Sequence, residues 1–118
     1  MQIADKPPLQ EQQQYEIEAL QAIYGSDFQM RAEVWGNPSF TLLIKPIVYQ
    51  PHEIFASVTL HITYTKTYPT SAPKIVISEY KGISDTEKNE LMQLLEAVAR
   101  ECLGEVMVHQ LASETGNA

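Results

Sequence analysis

The side chains that most often perform catalysis or bind metals are few in this chain and lie far apart. Its three histidines are His52, His61 and His109, and no two of them stand at a spacing typical of metal ligands. His61 falls on the polar face of a predicted strand, which favours a solvated or hydrogen-bonded role. Cys102, the one cysteine, falls on the apolar side of a predicted helix, where thiols are usually inert. These positions predict no metal site and no activated thiol.

Other catalytic patterns are also missing from the sequence. No serine lies in a nucleophile-elbow pattern, and the five glycines are too scattered to form a phosphate-binding loop. Glu16 and Glu18 are two residues apart in a predicted helix, so their carboxylates point to different sides and predict no shared acid–base pair. We therefore expect a domain without catalytic residues, cofactor or small-molecule ligand.

Composition and charge favour a small, soluble, cytoplasmic domain with a protein partner. The chain has 118 residues, 44% of them hydrophobic, which suits one globular domain. Its net charge of -7 disfavours nonspecific attraction to nucleic acid or anionic membrane, and favours a basic or neutral protein. A single cysteine excludes an internal disulfide, which is typical of reducing compartments. The sequence shows no signal-peptide pattern and no run of about 18 apolar residues.

Acidic side chains on the last long helix are the candidate binding residues. This helix is predicted to present four carboxylates beside or opposite its apolar stripe: Asp85, Glu90, Glu96 and Glu101. One interpretation is a solvated face that only favours solubility. The sharper interpretation is a docking strip for arginine or lysine side chains of a partner, because charge complementarity raises association rates and selects partners. Trp35 is either an aromatic anchor for a partner or a cap over the open end of the sheet.

Two amphipathic helices are predicted to position these side chains. The first runs from Gln10 to Tyr24 and ends at Gly25, a typical C-cap. The second begins with a capping box formed by Ser84 and Glu87. Their apolar stripes are expected to contain Gln13, Ile17, Leu20, Ile23 and Tyr24 in the first helix, and Leu91, Leu94, Leu95, Val98 and Cys102 in the second. A shorter third helix is expected to open near Leu111.

Four strands are predicted between the two long helices. The first three alternate apolar and polar residues, and their apolar faces are Phe28, Met30, Ala32 and Val34, then Phe40, Leu42 and Ile44, then Val58, Leu60, Ile62 and Tyr64. The fourth is the apolar run from Lys74 to Ser78. Pro46 ends the second strand early or places it at an edge, and the loop after it contains Pro51. Short links between successive strands predict an antiparallel meander.

The predicted organisation is one α+β domain with two layers, a four-stranded antiparallel sheet and the helices that cover it. Residues 1–9 are expected to be a flexible lead-in, 10–114 the domain, and 115–118 the start of a linker to a longer protein.

The segment Tyr68-Pro69-Thr70-Ser71-Ala72-Pro73 joins the third strand to the fourth. Each proline fixes its own φ and keeps the residue before it out of the α region, so the segment predicts consecutive rigid turns. We expect Tyr68, Pro69 and Pro73 to hold strand four and the second helix against the sheet. Tyr68→Ala or Pro73→Ala should lower stability first and binding only as a consequence.

Two motifs in this order, Glu16 to Phe28 and Tyr68 to Pro73, closely resemble the RWD domain family. The resemblance spans about residues 12–113 and implies an α-β-β-β-β-α-α fold related to ubiquitin-conjugating enzymes. Those enzymes carry a His-Pro-Asn motif and a catalytic cysteine beyond the shared Tyr-Pro turn. Here the residues after Pro73 are Lys74 to Tyr80, without that motif or a cysteine. The resemblance therefore implies a noncatalytic protein-interaction domain.

Within the family, the chain most resembles the N-terminal RWD domain of general-control kinases, which act on the alpha subunit of translation initiation factor two during amino-acid starvation. That resemblance implies a large ribosome-associated activator protein as partner, bound through the outer faces of the last two helices. The alternative is an adaptor of the ubiquitin or SUMO pathway that contacts a conjugating enzyme or ligase. A third hypothesis, an enzyme that uses Cys102, requires rapid alkylation of the native thiol.

Overall fold

The structure, a computed structural model, describes residues 8–45 and 56–116. The elements in these ranges follow the order α1 (Leu9–Tyr24), β1 (Phe28–Val34), β2 (Asn37–Ile44), β3 (Ser57–Thr63), β4 (Lys74–Lys81), α2 (Asp85–Glu101) and α3 (Val108–Gly116). The strands form one antiparallel sheet in the order β1-β2-β3-β4, which confirms the predicted α+β meander. β2 ends at Ile44 and pairs with both β1 and β3, so the alternative that Pro46 places this strand at an edge is wrong. The predictions for the loop around Pro51 and for residues 1–7 lie outside the described residues.

The ends of the long helices follow their sequence signals. α1 ends at Gly25, whose φ of 55° is a conformation that glycine adopts without a side-chain clash. At the start of α2, the Ser84 side chain accepts from the Glu87 amide at 3.0 Å, and the Glu87 side chain accepts from the Ser84 amide at 2.9 Å. This reciprocal capping box satisfies two amides that the helix leaves without intrahelical partners.

The two central strands supply the middle of the core. Phe40 lies opposite Ile62 and Leu42 lies opposite Leu60, and all four side chains are fully buried. Aromatic contacts continue this core across the domain, from Phe28 to Phe40, from Phe40 to Tyr64 and from Tyr64 to Tyr68. The predicted inward faces of these strands are therefore confirmed.

β1 differs from the predicted half-buried strand. Only Phe28 is buried, while Ala32 is exposed and Met30 and Val34 are 45% and 43% exposed. β1 is an edge strand, and its register with β2 shifts between Arg31 and Val34, where a bulge interrupts the alternation. Met30 lies before this shift and still pairs with Phe40, so the bulge accounts only for the end of the strand. A bulge of this kind leaves no trace in the apolar spacing of the sequence.

The apolar stripes of α1 and α2 also differ from prediction at one position each. Ile23 is 56% exposed and Leu94 is 40% exposed, whereas Ala99 is buried. In α2 the buried face is centred on Leu91, Leu95 and Ala99. Ala99 lies four residues after Leu95 and faces inward with it. Leu94 precedes Leu95 by one residue, about 100° around the helix, and therefore lies toward solvent. α3 begins at Val108, three residues before the predicted start.

The face of the sheet opposite the apolar core is polar and internally hydrogen-bonded. The Ser39 hydroxyl lies 2.7 Å from His61 Nε2 and 3.0 Å from the Thr63 hydroxyl. Arg31 Nε donates to the Thr41 hydroxyl at 3.2 Å. The hydrogen-bonded role predicted for His61 is therefore confirmed.

Candidate functional site

The Tyr68-Pro69 turn lies at the junction between the sheet and all three helices. The Tyr68–Pro69 peptide bond is cis, and Tyr68, Pro69 and Pro73 are all buried. Backbone amides of Thr70 and Ser71 both donate to the Thr67 carbonyl, at 2.7 Å and 3.2 Å. The segment is thus a series of turns closed by backbone hydrogen bonds.

A buried carboxylate on α1 is the centre of the contacts around this turn. Glu16 Oε1 accepts from the Tyr64 hydroxyl at 2.6 Å and from the Tyr68 hydroxyl at 2.8 Å. Glu16 Oε2 accepts from the Val108 amide at 2.9 Å. The Tyr68 oxygen in turn accepts from the Met107 amide at 2.7 Å. Glu16 and Tyr68 therefore cap the N-terminus of α3 from distant parts of the chain, where the helix dipole favours negative charge.

Backbone groups of the turn complete the junction. Gln13 Nε2, also buried on α1, donates to the Tyr68 carbonyl at 3.0 Å. The Gly104 amide, in the link between α2 and α3, donates to the Pro69 carbonyl at 2.8 Å. We refer to Gln13, Glu16, Tyr64, Tyr68 and Pro69 as the Glu16 junction, because together they join α1, the turn and the α2–α3 link.

In the junction, burial and hydrogen bonding shift the pKa of Glu16 in opposite directions. Burial raises the pKa of Glu16 above its ordinary value, while the hydrogen bonds from Tyr64, Tyr68 and Val108 act in the lowering direction. Burial, followed by the negative charge of Glu16, raises the pKa of both Tyr64 and Tyr68. Both tyrosines therefore stay protonated and act as donors to Glu16. The arrangement orients helices rather than activating a nucleophile.

The four predicted partner-binding carboxylates are all exposed on α2, but they do not form one strip. At 3.6 residues per turn, Glu90 and Glu101 lie about 120–160° around the helix from Asp85 and Glu96. Asp85 accepts a hydrogen bond from the Tyr80 hydroxyl, and this bond, before any other cause, raises the pKa of Tyr80. α2 thus presents two acidic flanks, Asp85 with Glu96 on one side and Glu90 with Glu101 on the other.

The two flanks have different surroundings. Glu96 lines a shallow depression with Arg100 and with Lys74 at the start of β4, so cations are close to this flank. Glu90 and Glu101 are exposed on the far side of the helix. A basic partner would therefore meet local positive charge at the Glu96 flank.

Trp35 lies at the tip of the β1–β2 hairpin with a φ of 55° and is 95% exposed. This exposure contradicts the interpretation in which Trp35 caps the open end of the sheet. It leaves the interpretation of Trp35 as an aromatic anchor open to test.

The remaining candidate residues take part in local contacts. The Tyr24 hydroxyl lies 3.0 Å from His109 Nδ1, which joins the end of α1 to α3. Cys102 is half-buried at the end of α2. His52 lies outside the described residues. Across residues 8–45 and 56–116, no three His, Cys, Asp or Glu side chains are grouped so that they could hold a metal ion.

None of the helices in the described part of the chain is both long and apolar enough to cross a membrane.

Sequence reasoning missed the burial of Glu16. The signal was its position, because Glu16 stands three residues after Gln13 and four before Leu20, on the stripe that was otherwise predicted to face the core. A carboxylate on such a stripe predicts a buried acceptor with donors elsewhere in the chain. The sequence does not indicate which tyrosines and amides supply those donors.

Comparison with known proteins agrees with the geometry. A profile of the RWD domain family matches residues 11–117. The chain is 36% identical over 115 residues to human eIF-2-alpha kinase GCN2, covering 92% of this chain and 7% of the kinase. It is 31% identical over 97 residues to the E3 ubiquitin-protein ligase RNF25 of Danio rerio, covering 81% of this chain and 19% of the ligase.

A solved structure supports the same assignment. The solution structure of the RWD domain of mouse GCN2 matches with a TM-score of 0.83 and 32% sequence identity, covering 98% of this chain and 88% of that one. The chain thus corresponds to a small part of the two longer relatives and to nearly all of the solved domain. From its sequence profile, its fold and these relatives, the chain belongs to the RWD domain family of noncatalytic protein-interaction domains.

Proposed function

We propose that this domain recruits a starvation-responsive protein kinase to a ribosome-associated activator protein, and so enables activation of the kinase and control of translation in the cytoplasm. The observation that carries the proposal is the 36% identity to eIF-2-alpha kinase GCN2 across 92% of the chain. The likeness to the solved RWD domain of mouse GCN2 supports it. The domain contributes docking, and the kinase chemistry resides in the parent protein.

The proposed docking surface is the outer part of α2 with Asp85, Glu90, Glu96 and Glu101. All four side chains are exposed, which leaves them able to meet arginine or lysine residues of a partner. Exposed charge pairs contribute little to affinity individually, but they steer association and select the partner. The chain's net charge of -7 adds a long-range attraction for a basic surface.

The test is charge reversal on α2 in the 118-residue chain. In Glu90→Lys/Glu96→Lys, one carboxylate from each flank is reversed, and we expect affinity for the activator to fall by about tenfold or more in a direct titration. The matched control is Glu33→Lys, which reverses an exposed carboxylate on β1. Surface changes of this kind usually alter stability by less than about 0.5 kcal/mol, so thermal unfolding should be unchanged in both.

Unchanged activator binding by the α2 double variant would exclude α2 as the docking surface. If the double variant weakens binding, comparing Glu96→Lys with Glu90→Lys assigns the interaction to one flank. We expect the larger loss from Glu90→Lys, because Lys74 and Arg100 line the same depression as Glu96.

The parent protein is proposed to be a serine/threonine kinase. The reading frame that encodes this chain should contain, beyond the RWD domain, a glycine-rich loop and a catalytic-loop motif of the protein-kinase type. A reading frame without these two kinase motifs would exclude the kinase assignment.

The second candidate function is an adaptor for the ubiquitin or SUMO pathway, contacting a conjugating enzyme or ligase. The observation that favours it is the 31% identity to the ligase RNF25 of Danio rerio. A RING-type pattern of cysteine and histidine residues in the reading frame would favour this alternative, as would saturable binding of a conjugating enzyme by the isolated chain.

A further inference from the structure

A groove between α1 and the α2–α3 link is separate from the α2 carboxylates. It has a volume of about 340 Å³, and most of its lining is apolar. The apolar walls are Tyr15, Ala19 and Ile23 on α1, and Val106 on the opposite side. Tyr15 and Ile23 are 59% and 56% exposed, and Val106 is 44% exposed. Three large apolar side chains that remain accessible along one groove mark an interaction surface.

The α1 side of the groove has the repeat of a helix-binding surface. Gln12, Tyr15, Ala19 and Ile23 recur at three- and four-residue spacing along one stripe. The stripe spans the twelve residues 12–23, or about 16 Å at the rise of an α-helix. This length matches about three turns of a docked helix, whose anchors recur at i, i+3 or i+4, and i+7.

The charges around the groove select the kind of helix. Glu11 and Glu18 stand four residues before and three residues after Tyr15, so both are neighbours of Tyr15 on the helix surface, and both are exposed. Neither α1 nor the segment 102–116 contains a lysine or arginine. The floor is apolar, and within α1 and residues 102–116 the formal charge is of one sign. A partner with basic residues beside an apolar stripe satisfies both features.

We propose that the groove between α1 and the α2–α3 link binds a cationic amphipathic helix of a partner protein, with apolar anchors on Tyr15, Ile23 and Val106 and basic side chains beside Glu11 and Glu18. This inference goes beyond the proposed function, because it involves none of the α2 carboxylates.

The probe is an 18-residue helical peptide with leucines at i, i+3, i+4 and i+7 and lysines on both flanks. Two matched peptides serve as comparisons, one with glutamates in place of the lysines and one with the same composition in scrambled order. In an NMR titration of the 118-residue chain, the basic peptide should shift the resonances of Tyr15, Ala19, Ile23 and Val106. The acidic and scrambled peptides should bind at least about tenfold more weakly.

Variants of the chain distinguish peptide binding in the groove from nonspecific hydrophobic binding. Ile23→Ser removes an exposed anchor and should lower the affinity for the basic peptide by roughly tenfold, as expected for a central apolar anchor. Leu94→Ser is the matched control, since Leu94 is an exposed apolar residue on α2 that does not line the groove. Glu11→Gln/Glu18→Gln should weaken binding and reduce its dependence on salt. Thermal unfolding of each variant verifies that the fold is retained.

Several outcomes would overturn the proposal. These are equal binding of the basic and acidic peptides, resonance shifts confined to α2 or the open sheet face, and equal losses in Ile23→Ser and Leu94→Ser. Self-association of the chain that Ile23→Ser abolishes, without peptide binding, would assign the groove to a second copy instead. Glu90→Lys/Glu96→Lys should bind the peptide normally, so this inference and the proposed function fail independently.

Discussion

Carboxylates occupy two opposite environments in this domain, the buried Glu16 junction and the exposed flanks of α2. Glu16 is 7% exposed and accepts three hydrogen bonds from three parts of the chain. Glu90 and Glu101 are exposed on a single helix. The same functional group therefore has two different roles in this domain. In the junction it determines how helices meet, and on α2 it is available to a partner.

The largest expected effect on stability comes from Glu16→Gln. The amide keeps one carbonyl oxygen for the two tyrosine hydroxyls, but its NH₂ group would face the Val108 amide, so this buried donor loses its acceptor. We expect the free energy of unfolding at neutral pH to fall by about 2–3 kcal/mol, as for buried polar groups left unsatisfied. Urea denaturation measures it.

Glu18→Gln is the matched control for that change. Glu18 is exposed on the same helix, and its carboxylate accepts a surface hydrogen bond from Gln14. Because water can replace that bond, the substitution should alter stability by less than about 0.5 kcal/mol. Equal effects of the two substitutions would show that burial does not distinguish these carboxylates.

Removing a single hydroxyl from the junction comes next. In Tyr68→Phe, Glu16 loses one donor and the Met107 amide loses its acceptor, so we expect a loss of about 1–3 kcal/mol. Tyr64→Phe removes only a donor to Glu16 and should cost about 1 kcal/mol. Melting curves that ranked Tyr64→Phe as the more destabilising change would contradict the role of Tyr68 as a link between α1 and the start of α3.

The pH dependence of stability tests whether Glu16 behaves as a buried carboxylate. Because burial raises the folded-state pKa of Glu16 above 4.5, the folded chain binds a proton more tightly than the unfolded chain does. The stability that this proton contributes is complete below about pH 4.5 and declines as pH rises through the folded-state pKa. The stability difference between the parent chain and Glu16→Gln should therefore shrink from acid to neutral pH, as measured by urea denaturation across that range. A difference that grows with pH would mean that the hydrogen bonds outweigh burial.

The sequence predicts the parts of this fold that depend on local rules. The Ser84 capping box, the Gly25 cap and the alternation of β2 and β3 each follow from neighbouring residues, and each is present. The β1 bulge and the exposure of Leu94 depend on how elements meet, which local spacing does not encode.

The candidate site shows the same division. The exposure of the α2 carboxylates and their separation into two flanks both follow from helix periodicity, because each residue turns the helix by about 100°. The donors to Glu16 come from residues 48, 52 and 92 positions away. No local pattern connects such positions, so the junction emerges only from the folded structure.

The smallest expected effect on stability belongs to the exposed carboxylates, and Glu90→Gln/Glu101→Gln measures it. Both side chains lose charge without losing shape, and water solvates them in either form, so the free energy of unfolding should change by less than about 0.5 kcal/mol. The same variant should slow association with the activator at low salt, with a smaller difference as salt rises, because steering is screened within a Debye length. Stopped-flow association rates at two salt concentrations measure this effect. If stability fell as in Glu16→Gln while association was unchanged, the exposed flank would be part of the scaffold, and the contrast between the two environments would fail.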